Sequence, residues 1–511
     1  MEKKSLLLLA GSLSLLFPLF ITSCQIENGD GYSEALESMY SANAYDGYYD
    51  GESPALGGDQ FGEFTDNPFV NAKEEPTSTF SVDADGASYC IVRNYLSRGY
   101  NVNPNSVRIE EMLNYFTFDY AEPTGSHTAA INAEAVKCPW NDGHVLLRLG
   151  VKGKSLADSE VPQANFVFLI DVSGSMCSND KLPLLKSGLK ELVTQLKPDD
   201  RISIITYSGE VEKLLESTKV KDASKIIKAI DKLDANGCTN GGEALKMAYQ
   251  EALANYDAKA NNRIILGTDG DFNVGVTSTS ALVEMVESYA KKGIYMTCLG
   301  FGMGNLNDNM MEQISNKGNG TYHYIDSEEE MMKVFVHERE RFVSVANDAK
   351  CQVTFNPDVV ESYRLIGYEN RVMNNQDFGD DSKDAGEIGA GQTITALYEL
   401  VLTEKAVKSY NVVMATFDFR YKKSLNSESL PLKVNVSSDE PYNKKTVSSN
   451  MYLAEGIAAF GMVMRRSDYK GTANLDMASE LVEQSLSYDP QGHRAELLEL
   501  IKKTKSTTFS R

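Results

Sequence analysis

The stretch NFVFLIDVSGSM, residues 165–176, joins a buried strand to a set of oxygen-bearing side chains. Five apolar residues run without a break over 166–170, and Asp171, Ser173 and Ser175 follow at every second position. A continuous rather than alternating apolar strand is typical of a parallel sheet covered on both faces. Ligands bind such sheets at the carboxyl ends of the strands. Asp171 stands at one of those ends.

The same pattern continues along residues 161–348, where apolar runs alternate with amphipathic helical patterns. The runs are FVFLI, ISIITY, RIILGT, IYMTCLGFG and TYHYI. The clearest helical pattern, over 182–196, places Leu185, Leu189 and Leu192 on one face. This order predicts an α/β domain with a doubly wound, mostly parallel sheet.

The flanking regions have different periodicities. Residues 77–160 predict an N-terminal α/β region that ends in antiparallel strands around a Trp-Asn-Asp-Gly turn. Residues 349–440 predict an additional β-rich domain, and 441–511 a C-terminal region of small helical segments. A long helix from 328 to about 346 is expected to connect the α/β domain to the β-rich domain.

Asp83 and Asp85, which precede Gly86, look like part of a calcium-binding loop. A complete loop needs further carboxylates at fixed intervals and a late Glu. These do not appear in register. A helix N-cap with a turn is therefore the preferred interpretation.

The N-terminus predicts export and anchoring. Residues 1–23 combine early lysines with a short apolar run, as a lipoprotein signal peptide does. The run ends in ITSC, which resembles the lipobox of bacterial lipoproteins and implies acyl chains on Cys24. Each buried methylene of an acyl chain contributes about 0.8 kcal/mol to membrane binding. A plain cleaved signal with an incidental Cys is the alternative. Residues 24–76 are acidic and without period, and predict a flexible tether.

Composition excludes some functions. The net charge of −22 leaves no basic surplus to neutralise phosphates, so no nucleic-acid partner is expected. None of the five histidines falls in a recognisable nucleophile or metalloprotease motif, and we predict that the chain is not an enzyme. The expected location is the cell envelope, with the outer membrane favoured and the body facing the periplasm or the surface.

Two further polar spots are expected at the same sheet edge. Thr239 lies in the Gly-rich turn NGCTNGGEAL, and Asp269 follows an apolar strand in ILGTDGDFN. With Asp171, Ser173 and Ser175 they form a hard-oxygen set without nitrogen or sulfur. Such a set suits Mg²⁺, with Mn²⁺ and Ca²⁺ as alternatives.

DVSGS, with Thr239 and Asp269 downstream, resembles the metal-ion-dependent adhesion site of von Willebrand factor type A (VWA) domains. The resemblance implies that Ser173, Ser175 and Thr239 bind the metal directly, whereas Asp171 and Asp269 act wholly or partly through water. It also implies that an acidic side chain of a protein or peptide ligand completes the coordination. STFSVDADGASY, RIEEMLNYF and YRLIGYENR look like one bacterial subfamily of exported VWA proteins with extra N-terminal and C-terminal regions of unassigned function.

Cys177 and Cys238 flank the predicted metal loops, and a disulfide between them is a hypothesis. The sequence therefore predicts an envelope-anchored, Mg²⁺-dependent binding module of the adhesion type. Two alternatives stay open at this point. One is an envelope assembly scaffold with a structural metal site, and the other is a metal-assisted hydrolase.

Overall fold

The structure, a computed structural model, describes residues 58–237, 242–270, 279–383, 385–406, 411–443 and 446–508. The predicted signal peptide and the predicted anchor Cys24 lie outside the described residues. Cys238 and Thr239 lie outside them as well, so nothing below concerns their structure.

Strands occur in every part of the described chain. In chain order they are β1 (Val70–Asn71), β2 (Thr77–Ser81), β3 (Ala129–Lys137), β4 (His144–Gly153), β5 (Ala164–Asp171), β6 (Arg201–Tyr207), β7 (Val211–Lys219), β8 (Asn261–Thr268), β9 (Ile294–Phe301), β10 (Tyr322–Ile325), β11 (Ser344–Phe355), β12 (Val360–Ile366), β13 (Val372–Met373), β14 (Gly386–Gly389), β15 (Thr393–Leu402), β16 (Val413–Lys422) and β17 (Ser429–Ser437).

The α-helices lie between these strands and at the C-terminal end. They are α1 (Ala87–Ser97), α2 (Ile109–Tyr115), α3 (Leu182–Gln195), α4 (Ala223–Asp231), α5 (Gly242–Ala254), α6 (Thr279–Ala290), α7 (Asp308–Lys317), α8 (Glu328–Met332), α9 (Glu440–Asn443), α10 (Ser449–Arg465), α11 (Leu475–Gln484) and α12 (His493–Thr508).

A six-stranded sheet in the order β10-β9-β8-β5-β6-β7 forms the centre of the α/β unit. All neighbours are parallel except β6 and β7, which pair antiparallel. Side chains of β5 alternate between two cores, with Val167 and Leu169 in one and Phe166, Phe168 and Ile170 in the other. Both faces are thus covered, which confirms the predicted doubly wound, mostly parallel sheet.

Two antiparallel sheets form a sandwich beside the α/β unit. Their strand orders are β1-β12-β15-β4-β3 and β13-β2-β11-β16-β17. One apolar core contains Leu147 and Leu400 from the first sheet and Phe80, Val353 and Phe417 from the second. Strands of the predicted N-terminal region therefore share sheets with those of the predicted β-rich domain. The two ranges flank the α/β unit in sequence but share one core in space.

Residues 58–76, which the sequence placed in the flexible tether, contact the folded body. The strand β1 pairs with β12, and Ala72 is fully buried. Sequence periodicity could not predict these contacts, because the segment packs on the body through single residues rather than through a continuous apolar face.

The long helix predicted from 328 to about 346 is wrong. The helix α8 ends at Met332, a π-helical turn follows over Lys333–His337, and a 3₁₀ turn spans Arg339–Phe342. The strand β11 then begins at Ser344. Within 328–346 a short helical segment and the start of a strand both contribute buried apolar residues, so a single helical period fits neither.

The expected N-cap at Asp83 and Asp85 is also wrong. The helix α1 begins at Ala87, and its N-cap Gly86 has no side chain to accept a hydrogen bond. The turn is present, because Asp85 N donates to Asp83 Oδ1 at 3.0 Å. Both aspartates are buried, at 1% exposure each, which an ordinary capping residue does not need.

The C-terminal region is helical as predicted, with α10 almost entirely buried. Its side chains share a core with α2 and with one face of the central sheet. Across the described ranges, no helix has both the length and the apolar character that a membrane span requires.

Candidate functional site

The loop after β5 carries three of the five predicted metal-site residues. β5 ends at Asp171, and Val172 N donates to Tyr207 O at 3.0 Å, so the chain leaves the sheet beside the end of β6. A 3₁₀ turn follows over Gly174–Cys177. The turn brings Ser173 and Ser175 to the same side of the loop.

The two serine hydroxyls have the spacing of neighbouring metal ligands. Ser173 Oγ and Ser175 Oγ lie 3.0 Å apart. Adjacent ligands of an octahedral Mg²⁺ with metal–oxygen distances of about 2.1 Å are separated by about 3.0 Å. The two hydroxyls are hydrogen-bonded to each other at this distance, and the same spacing is compatible with the cation that the sequence predicts.

Asp171 is fully buried and orients this loop. Its Oδ1 accepts the backbone N–H of Ser173 at 2.9 Å, and its Oδ2 accepts Thr268 Oγ1 at 3.2 Å. Burial raises the pKa of Asp171 to about 6, even though hydrogen bonds from Ser173 and Thr268 favour the ionised form. The neighbouring Asp269 contributes a smaller rise.

Asp269 follows β8 directly and is also fully buried. Its Oδ2 accepts a hydrogen bond from Lys181 Nζ at 2.9 Å. Burial alone would raise the pKa of Asp269, but hydrogen bonds from Lys181, Asn305 and Ser175 and the charge of Lys181 lower it below its ordinary value. Because Asp269 interacts with both Asp171 and Ser175, the structure places it at the same site.

The loop that leads to Thr239 approaches from the other side. Gly174 N donates to Gly237 O at 3.1 Å, and Asn236 N donates to Val172 O at 2.9 Å. The described chain therefore runs to within two residues of Thr239 beside the serine loop. The position of the Thr239 hydroxyl itself stays a prediction.

Two functional residues of this site were missed by sequence reasoning. Lys181 precedes α3, and sequence reasoning assigned it no role at the metal site. Asp59 lies in the stretch taken as tether, but its Oδ1 accepts the backbone N–H groups of Gly304 and Leu306 at 2.7 and 2.9 Å. These two residues flank Asn305, whose side chain donates to Asp269. Tyr95 OH donates to the other oxygen of Asp59.

Three family models match the chain in succession. The model described as "von Willebrand factor" matches residues 55–148, the von Willebrand factor type A domain matches 165–337, and "Uncharacterized protein YfbK, C-terminal" matches 340–507. The VWA match covers the central sheet and the loops with Asp171, Ser173 and Asp269. It confirms the predicted VWA fold.

The matching relatives differ in how much of the chain they cover. The Escherichia coli (strain K12) protein described as "Uncharacterized protein YfbK" is 36% identical over 474 residues, which span 88% of this chain and 81% of that protein. The chain belongs to the YfbK family. The mouse protein "Inter alpha-trypsin inhibitor, heavy chain 4" is 30% identical over 226 residues, or 42% of this chain and 23% of that protein. The likeness to YfbK thus extends through all three matched regions.

Among solved structures, "von Willebrand factor type A from Catenulispora acidiphila" aligns with 71% of this member of the YfbK family and 87% of its own chain. That alignment has 14% sequence identity and a TM-score of 0.44.

Cys177 in this member of the YfbK family is exposed and forms no disulfide with another described cysteine. Its predicted disulfide partner Cys238 lies outside the described residues, and the bridge stays a prediction. Acylation of Cys24 stays a prediction as well.

Proposed function

We propose that the chain is an envelope-anchored, Mg²⁺-dependent module of the adhesion type that binds an acidic side chain of a protein or peptide ligand. Its site consists of Asp171, Ser173, Ser175, Thr239 and Asp269. The observation that carries the proposal is the 3.0 Å separation of the Ser173 and Ser175 hydroxyls beside two buried carboxylates. The VWA domain, which points to an interaction module, supports the same reading.

The charges around the site favour capture of an anion. Ser173, Ser175 and Thr239 would hold the metal through neutral hydroxyls, and Lys181 neutralises much of the charge of Asp269. A Mg²⁺ held this way keeps most of its positive charge and supplies a Lewis-acidic position for a carboxylate oxygen.

The residues of the loop divide into supporting and exposed groups. Asp171 holds the Ser173 backbone from beneath, and Ser173 itself is only 3% exposed. Ser175 lies on the exposed rim of the same turn. A ligand that approaches from solvent therefore meets the Ser175 side of the site first.

The location belongs to the proposal too. Acylation of Cys24 would anchor the chain to a membrane of the cell envelope, and the acidic residues from 25 to 57 would separate the folded body from that membrane. We place the site on the outer membrane, facing the periplasm or the surface, where protein and peptide ligands are within reach.

A scaffold function is the second candidate, and the Lys181–Asp269 ion pair is the observation that favours it. An ammonium group inside the chain stabilises the carboxylate without any exchangeable ion. In that case the loops would hold a fixed shape, and partner binding would not depend on added metal.

The test compares Mg²⁺ and Mn²⁺ binding by the full-length chain with that of a Ser173→Ala/Ser175→Ala variant. Ser178→Ala is the matched control, because Ser178 lies in the same loop and its hydroxyl is bonded to Asp180 rather than to the site. We expect the double variant to lose the metal and the control to keep it. Isothermal titration gives both affinities.

The same three chains are then used to retain proteins from envelope extract with Mg²⁺ or with EDTA. Retention that requires Mg²⁺ and disappears in the double variant supports the adhesion function. Retention that is identical in all chains and both buffers would reject it and favour the scaffold.

A further inference from the structure

A second group of carboxylates lies buried where α7 meets the N-terminal region. We call these carboxylates, together with the two arginines that pair with them, the junction cluster. Its carboxylates belong to Asp83, Asp85, Glu111, Asp308 and Glu312, and its arginines are Arg108 and Arg371. Every carboxylate side chain in it is at most 5% exposed. The residues come from four separate segments of the chain, so no single sequence motif contains all of them.

The two arginines do not balance this charge. Arg108 pairs with Glu111 and with Asp308, and Arg371 Nε pairs with Asp83 Oδ2 at 3.0 Å. Five carboxylates face two guanidinium groups, and a buried charge without compensation is costly.

One carboxylate oxygen of the cluster has no hydrogen-bond donor among the described residues. Asp85 Oδ1 accepts the Tyr322 backbone N–H at 2.7 Å, whereas Asp85 Oδ2 is buried and accepts none. The nearest cationic nitrogen in its ion pair, Arg371 Nη2, is 3.7 Å away. Buried oxygens of this kind are rare in native proteins and indicate a missing partner.

The spacing of the carboxylates fits one cation. Oxygens of Asp83, Glu111 and Glu312 all lie within 4.8 Å of one another. Ca²⁺ takes about six to eight oxygen ligands, several of them carboxylates, whereas Mg²⁺ usually keeps several waters and binds one or two carboxylates, so a buried site with three carboxylates suits Ca²⁺ better. Asp85 and Glu312 also line a cavity of about 460 Å³, which provides an entry path.

We propose that the junction cluster is a divalent-cation site that prefers Ca²⁺, with Asp83, Glu111 and Glu312 as ligands and Asp85 beside them. The pair Asp83 and Asp85 looked like an incomplete calcium loop in the sequence. The fold supplies the absent carboxylates from α2 and α7. The bound ion would join the N-terminal region to the VWA domain, and this role goes beyond the proposed adhesion function.

Another buried group shows what a balanced cluster looks like. Asp326 and Glu330 lie close to Cys90, but Arg93 donates to both carboxylates and Lys333 lowers the pKa of Glu330. Two positive side chains thus face two buried carboxylates, and the third carboxylate that pairs with Arg93, Glu496, is 41% exposed. Glu330→Gln is therefore the matched control for a change in the junction cluster.

The experiment counts Ca²⁺ per chain by equilibrium dialysis and elemental analysis. The full-length chain carries Ser173→Ala and Ser175→Ala, so the adhesion site does not contribute. We expect one tightly bound Ca²⁺ in this background. Adding Asp85→Asn and Glu312→Gln should weaken its binding at least about tenfold, whereas adding Glu330→Gln should leave it unchanged.

Thermal unfolding gives a second reading of the same site. Ca²⁺ should raise the Tm of the background chain and of the control, but not that of the junction variant. If the junction variant does not fold, Glu312→Gln alone is tested with Tb³⁺, whose luminescence is excited through nearby tyrosines such as Tyr322. A background chain that binds no Ca²⁺, or a folded junction variant that still binds it, overturns the proposal. Neither result tests the proposed adhesion site, because Ser173 and Ser175 are already replaced in the background chain.

Discussion

Lys181 places a positive charge inside a site that otherwise consists of oxygen atoms. Its ammonium group lies 2.9 Å from Asp269 Oδ2, and its side chain is only 10% exposed. A cation that binds at Ser173 and Ser175 therefore experiences repulsion from Lys181 as well as attraction from two carboxylates. This balance would weaken metal binding and would strengthen the attraction of a bound metal for an external anion.

We expect Lys181→Gln to raise the affinity for Mg²⁺ at least about fivefold, equivalent to about 1 kcal/mol, because the ammonium repulsion is removed. Isothermal titration of the full-length chain measures the change. Lys190→Gln is the control, since Lys190 lies on α3, the helix that follows Lys181, but pairs with the exposed Asp231. An unchanged or lower affinity would show that Lys181 does not oppose the metal.

At the scale of elements, a short segment joins the N-terminal region to the edge of the central sheet. Gln60 N donates to Leu306 O at 2.7 Å, and Asp308 N donates to Gln60 O at 3.1 Å. The loop that this segment contacts is tightly packed against Lys181 at the candidate metal site. Gly302 has a positive φ of 68°, and a Cβ there would lie 2.1 Å from Lys181 Cε.

The carboxylate of Asp59 in this segment accepts hydrogen bonds from the Gly304 and Leu306 amides. Asp59→Asn replaces a charge-assisted acceptor with a neutral one. We expect the hydrogen-exchange protection of these two amides to fall at least about tenfold. The Mg²⁺ affinity should fall in parallel, because Asn305 between them donates to Asp269.

Asp66→Asn provides the comparison for this prediction. Asp66 lies on the same segment but accepts from Ser467 and pairs with Arg465, on α10. Equal exchange rates for Gly304 and Leu306 in the two variants would show that Asp59 does not hold the loop.

At the scale of the whole molecule, the segments on both sides of the VWA domain form one body. The sandwich takes β1 to β4 from before the domain and β11 to β17 from after it. The C-terminal helices close the arrangement, since Ser448 at the start of α10 donates to Glu134 on β3. The stability of the whole body therefore depends on buried charged side chains, such as Glu134, that lie at contacts between these regions.

Glu455 on α10 sets one pH dependence of this stability. It is 3% exposed, and burial, with a smaller contribution from Glu134, raises its pKa from 4.5 to about 8. Between these values the folded chain holds a proton that the unfolded chain has released. The free energy of unfolding therefore decreases as the pH rises from about 4.5 to about 8.

Glu455→Gln removes the part of the decrease in unfolding free energy that Glu455 causes, because the amide stays neutral at every pH. We expect equal Tm values for the variant and the parent chain near pH 4.5. The variant should be more stable near pH 8, by on the order of a few kcal/mol. Thermal unfolding scans between about pH 4.5 and pH 8 measure the difference in Tm. Glu480→Gln is the control, because Glu480 is exposed. A variant that is less stable at both ends would contradict the assignment.

Local patterns were sufficient for the central sheet and for part of the site. The apolar run of β5 and the alternate spacing of Asp171, Ser173 and Ser175 are properties of neighbouring residues, so they are readable along the chain. The same holds for α3, whose apolar residues repeat at helical spacing. The predicted helix from 328 to about 346 failed, since a short helix and a strand there have no common period.

The sequence by itself determined the VWA fold, the sheet edge and the oxygen-bearing side chains of the candidate metal site. Only the tertiary structure decided that Lys181 and Asp59 support that site, and that Asp83 and Asp85 join Glu111 and Glu312. The physical reason is that charge pairing acts through space between segments remote in sequence. Sequence periodicity indicates only which face of its own helix or strand a residue occupies.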